Sequence, residues 1–115
     1  EDVRDDLTAL YSKLSVREKL VEEQFDMCRT KIARIRVDMG RNAKDSEDSQ
    51  AKRDAVVAKM AYQAERGGAN APKAIKAMRE NLDDLNLECD SQLSQAASLE
   101  RQLEKETGAL EYMNS

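Results

Sequence analysis

Two stretches of heptad repeat lie on either side of Gly67-Gly68-Ala69-Asn70-Ala71-Pro72, and they share one phase. The first stripe runs Leu7, Tyr11, Leu14, Glu18, Val21, Phe25, Cys28, Ile32, Ile35, Met39, in alternating steps of four and three. The second runs Ile75, Met78, Leu82, Leu85, Cys89, Gln92, Ala96, Leu99, Leu103, Glu106, Leu110, Met113 without a slip. Folding the chain back at Ala69 sets Leu110 against Cys28, Leu103 against Ile35, Leu99 against Met39, Leu82 against Val56 and Met78 against Met60. Each pair places an a position against a d position, as antiparallel helices require, and two unrelated frames would agree in this way roughly one time in seven. The expected fold is all-α: a long antiparallel coiled-coil helical hairpin.

Composition favours such a fold over a globular core. Charged residues make up 37% of the chain and aromatic residues 3%, with no Trp, which is too little apolar bulk to fill a three-dimensional interior. A coiled coil needs only a seam of about two apolar residues per heptad. High charge with negative hydropathy also suits disorder, but sustained phase over both stripes argues against it.

Helix 1 is expected over about residues 2–66, a tip over 67–71 and helix 2 over about 72–114. Gly40 to Gln50 is the weak stretch, because Asn42, Ser46 and Ser49 occupy the seam there. A helix end at Gly40 or Asn42, with a new start at Asp45 or Asp48, would give a three-helix bundle instead. Its helices of about 40, 20 and 41 residues would cover one another poorly. In the hairpin, Asn42 faces Ala96, Ser46 faces Gln92 and Ser49 faces Cys89, so Ser46 and Gln92 are expected to satisfy each other. Such a layer costs stability and specifies register. Arg53, opposite Leu85, is expected to carry its charged head out of the seam. Pro72 suits the first turn of helix 2, Asn70 is its candidate cap, and the glycine pair is expected to supply the loop conformations.

Charge is uneven along the chain. Residues 27–44 carry six basic groups against Asp38, whereas residues 80–115 carry nine acidic groups against two basic ones. The hairpin lays the basic stretch opposite residues 94–111, a charge match that supports the register. The tip has no such partner: residues 59–79 carry Lys59, Arg66, Lys73, Lys76 and Arg79 against Glu65. These five are the candidate partner-binding residues, for a polyanion.

The open end carries the other candidate surface. Helix 2 should reach back only to about Gln24, which makes 24–66 and 72–114 the hairpin arms of a single segment 1–115 and leaves 1–23 as an overhang. An isolated helix does not leave Val3, Leu7, Leu10, Tyr11, Leu14 and Val21 in water, so these residues are the candidate oligomer interface and a homodimer is expected. The adaptor alternative has a partner helix docking on residues 3–21.

The sequence argues against catalysis. There is no histidine, hence no imidazole base or neutral nitrogen ligand. Cys28 and Cys89 are isolated seam residues rather than a zinc site, and the hairpin separates them by about 30 Å, too far for a disulfide. Gly67-Gly68 lacks the spacing and preceding strand of a phosphate loop. Acidic runs such as Asp83-Asp84 read as solvated faces. No enzyme activity, cofactor or metal is expected.

No stretch of about 18 apolar residues is present, no signal peptide is seen, and the chain begins with Glu1. The expected setting is a segment of a longer intracellular protein, cytoplasmic or nuclear. Its expected role is a structural rod of a cytoskeletal or chromosome-segregation, kinetochore-like assembly, acting as spacer and oligomerisation element beside other coiled-coil proteins. A basic tip on an acidic chain makes the acidic surface of microtubules the first candidate polyanion. Nucleic acid ranks lower because duplex binders carry a broader basic face, and anionic membrane ranks lower because helix 2 is acidic. Kinetochore, centriole and axoneme rods are an analogy in kind only, since coiled coils share composition without ancestry.

Overall fold

The computed structural model describes residues 2–114; Glu1 of the expected overhang and Ser115 lie outside the described residues. Two helices, α1 (Asp2–Arg66) and α2 (Ala71–Asn114), pack as a hairpin. Proline is absent from α1, and Gly40 is its only internal glycine. Asp2 and Asp5 in its first turn and Arg66 in its last complement the helix dipole. The helix passes through Gly40 to Gln50 without a break, so the three-helix alternative is excluded. A single exposed glycine costs a helix only about 1 kcal/mol, and continued packing along the seam outweighs it.

The chain divides into two compact units. In the unit formed by residues 37–101, Asn42, Ser49, Val56, Leu85, Cys89 and Leu99 are buried. Met39, Ser46, Arg53, Met60, Ile75, Met78, Leu82, Gln92 and Ala96 are half-buried between them. In the unit formed by residues 2–36 with 102–114, Cys28, Ile32 and Ile35 are buried, and Phe25, Leu103, Glu106, Leu110 and Met113 are half-buried. Within each unit the protected residues follow the heptad frame read from the sequence.

The polar layer forms, with one exchange of partners. The Asn42 side-chain amide donates to the Gln92 main-chain carbonyl at 3.1 Å. Gln92 Nε2 donates to Ser49 Oγ at 2.9 Å, and Ser49 Oγ donates to Glu88 Oε1 at 3.2 Å. The expected Ser46–Gln92 pair is therefore replaced by Ser49–Gln92, while Ser46 Oγ accepts from Gln50 Nε2 at 3.5 Å. Side chains on a helix tilt toward its N-terminus, and in α2 that tilt carries Gln92 past Ser46 to Ser49.

At the tip the helix bounds to within one residue, the Asn70 cap and Pro72 in the first turn are as expected, and the role of the glycines differs. The Asn70 carbonyl accepts from Ala74 N at 3.1 Å, so α2 starts at Ala71, one residue early, with Asn70 in the N-cap position. Pro72 then sits second in the helix, where its missing N–H is still harmless. Ala71 N donates to the Gly68 carbonyl at 3.0 Å and closes the turn. Neither tip glycine adopts a positive φ. Gly67 is needed for room instead: a Cβ there would overlap the Gln63 carbonyl and lie 2.5 Å from the Ala71 Cβ.

These contacts set an order of effects on stability. Gly67→Ala should destabilise the hairpin by about 1–3 kcal/mol through overpacking against backbone. Gly68→Ala should be near neutral, because a Cβ there meets open space. Gly40→Ala, also in open space, should stabilise α1 by about 0.5–1 kcal/mol. Urea unfolding followed by circular dichroism ranks the three; equal midpoints for Gly67→Ala and Gly68→Ala would contradict the crowding at Gly67.

Candidate interaction surfaces

The seam of α1 runs on past the point where α2 covers it. Phe25 is half-buried and Cys28 is 4% exposed, but Leu7 is 56% and Leu14 51% exposed. Val3, Leu10, Tyr11 and Val21 are exposed as well. In the frame that α2 covers, Leu7, Leu14 and Val21 stand at d and Tyr11 and Glu18 at a. The exposed aliphatic residues group one step round the helix, and in that local frame Leu7, Leu14 and Val21 are a positions with Val3 and Leu10 at d, so five of the six expected interface residues share one face. Tyr11 flanks that face at e and, at 78% exposure, is the least protected of the six. Val16 and Leu20 are also exposed, at c and g, outside the stripe.

A shallow apolar groove on this face is lined by Leu14, Arg17, Glu18, Val21 and Glu22. Four of these occupy positions i, i+3, i+4 and i+7, the set that receives one knob side chain from a facing helix. Glu18 stands in the stripe read from the sequence, whereas Arg17 and Glu22 lie outside it and outside the expected interface residues. The signal for Arg17 is positional, since in the local frame of the exposed aliphatic residues it is the d residue between Leu14 and Val21.

Where α2 ends, Gln24, Met27, Cys28, Lys31, Glu106, Ala109 and Met113 line a second groove. The Cys28 thiol donates to the Glu106 carbonyl at 3.1 Å and lies 3.6 Å from Glu106 Oε2. Helix carbonyls point toward the C-terminus, so this contact sets Cys28 level with the turn between Glu106 and Leu110, close to the expected facing pair. Burial of the thiol, then its bond to the Glu106 carboxylate and that group's charge, push its pKa above the ordinary value, and Lys31 opposes them. Both cysteines are free and buried.

The basic tip lies in the other unit. Lys59, Arg66, Lys73, Lys76 and Arg79 are all exposed. The seam frame shared by the two arms, with Met60 at a, places Lys59 and Arg66 at g on one flank, Arg79 at e on the other, and Lys73 and Lys76 on the outer face of α2. The charges therefore surround the tip instead of converging on one spot. The first turn of α2 has no acidic residue, so Lys73 adds to the positive end of the helix dipole. Among the described residues no ion pair joins the two helices; Arg29 pairs with Asp26 of its own helix at 3.7 Å. The expected match between the basic and acidic stretches is thus not made by contact ion pairs.

Among the described residues no group of three or more cysteine or carboxylate side chains is arranged to hold a metal ion. No described helix is long and apolar enough to cross a membrane. Comparison with protein-family models, with curated proteins and with solved structures returned no match.

The Cys28 contact gives a pH dependence with a definite sign. A thiol whose pKa is raised on folding keeps its proton after the unfolded chain has lost it. Its contribution is present below the unfolded pKa and is lost as pH rises through the folded value. Thermal stability should therefore fall on the alkaline side more steeply in the wild type than in Cys28→Ser. The slope is the readout, since Cys28→Ser will also change stability at neutral pH, and identical slopes would contradict the assignment.

Proposed function

We propose that this chain is a non-catalytic structural coiled-coil segment, a spacer that oligomerises through the exposed face of residues 3–21. The observation that carries this reading is the uncovered seam: the stripe that packs against α2 at Phe25 and Cys28 runs on through Val21, Leu14 and Leu7, which are left in water with Val3 and Leu10 beside them. Aliphatic side chains at this spacing gain about 1.5–3 kcal/mol each on full burial, so the bare face favours association. Mass by light scattering at increasing concentration tests it. The wild type should rise toward twice its 13.0 kDa chain mass, and Leu7→Ser with Leu14→Ser should hold the chain at monomer. A helical monomer at every concentration would sink the self-associating form and favour the adaptor, in which a different helix occupies the face.

Within this reading we place the segment in a cytoskeletal or chromosome-segregation, kinetochore-like assembly, with the tip as a contact for an acidic lattice such as the microtubule. What supports it is five exposed basic side chains around the start of α2, on a chain whose net charge is −4. Co-sedimentation with stabilised microtubules should fade with salt and vanish when Lys73, Lys76 and Arg79 are replaced by Glu. Binding unchanged in that variant would remove the tip from the proposal. Competition with DNA and anionic liposomes separates the other polyanions.

A further inference from the structure

We propose that the occupant of the N-terminal face is the same face of a second copy, running antiparallel in one register. This rests on the oligomerisation reading above and adds to it the partner, its direction and its contacts. The a-against-d rule that pairs the two arms also applies to residues 3–21 of two chains. One register sets Val3 against the partner's Val21, Leu10 against the partner's Leu14, and Leu7 against the partner's Arg17, each twice by symmetry. Four of the six layers are then wholly apolar.

Three observations favour this arrangement. First, the groove lined by Leu14, Arg17, Glu18 and Val21 lies level with the partner's Leu7 and has the four-residue outline that a leucine knob fills. Second, the charged residues beside that knob are complementary: Asp6 precedes it and meets the partner's Arg17, while Arg4 meets the partner's Glu18 across the e flank. Arg17, the one charge at a seam position here, thereby acquires a carboxylate at the groove edge. Third, a parallel pair in the same frame would set Arg17 against Arg17 in the seam, a like-charge contact that the antiparallel register avoids.

The remaining charges are consistent with that choice. Asp2, Asp5, Lys19, Glu22 and Glu23 occupy b, c and f positions and stay in water. Lys13 approaches its own mate near the twofold axis, on long side chains that reach solvent. An antiparallel partner also runs in the same direction as α2. Its Val3, over Val21, begins one turn beyond Gln24, where the groove closed by Met113 ends. The partner helix thus takes over Leu7, Leu14 and Val21, the residues its face shares with the seam that α2 leaves.

Sedimentation equilibrium on the whole chain tests direction and register together, with circular dichroism confirming that each variant stays helical. Glu18→Arg and Arg4→Glu, each at an exposed position, should separately weaken dimerisation about tenfold, since each turns two attractions into repulsions. Combining them in one chain, or mixing the two single variants, should restore wild-type affinity. In a parallel dimer Glu18 would instead meet the partner's Lys13, so rescue of Glu18→Arg by Lys13→Glu but not by Arg4→Glu overturns the proposed direction. A dimer indifferent to all three substitutions overturns the register and leaves the oligomerisation reading standing. A helical monomer throughout overturns both.

Discussion

Everything in this protein depends on a seam two residues wide per heptad. No large side chain is fully buried among the described residues, and the best protected large aliphatic ones, Ile32, Ile35 and Leu99, keep about 7% of their surface. Stability is therefore spread along the seam instead of concentrated in a core, and each layer contributes a fraction of the 1.5–3 kcal/mol that full burial of an aliphatic side chain gives. A seam of this kind tolerates an exposed glycine such as Gly40 because the layers on either side hold the helix. It is much less tolerant of slippage, since every apolar residue must find its own level on the other helix.

The polar residues answer that weakness. Asn42, Ser49 and Gln92 form bonds that exist in one alignment only, to a main-chain carbonyl, to each other and to Glu88. A slip would set these groups against leucine and leave them unpaired, at a cost of about 1–3 kcal/mol each. Aliphatic residues at the same positions would bury more apolar surface and specify register less well. Gln92 Oε1 has no protein partner, so the layer is not fully satisfied within the chain. Cys28 makes a milder version of the same bargain, its thiol held by Glu106 at the last turns of α2.

The charged residues follow a different logic in each unit. At the N-terminal face, Arg4, Asp6, Arg17 and Glu18 border an apolar stripe, so their signs bear on which helix can lie there and in which direction. At the tip, Lys59, Arg66, Lys73, Lys76 and Arg79 lie on several faces around the turn, so their charges sum to a field over a short distance.

The hairpin was legible in the sequence because coiled-coil packing is one-dimensional: a seam residue needs only the right spacing along its own helix and the right phase on the other. Helix ends near Asp2, Arg66 and Asn114, the seam positions and the uncovered residues 3–21 all follow from that periodicity. What periodicity cannot carry is direction across the seam. The exchange of Ser46 for Ser49 as the partner of Gln92 depended on the tilt of a long side chain. The reason for Gly67 depended on how closely the Gln63 carbonyl and Ala71 approach once the chain has turned. The absence of contact ion pairs between oppositely charged stretches likewise required knowing where long side chains rest. Spacing along the chain determined which residues share a face, and three-dimensional packing decided which atoms meet, because a hydrogen bond or a steric overlap is settled within a few tenths of an ångström that no repeat specifies.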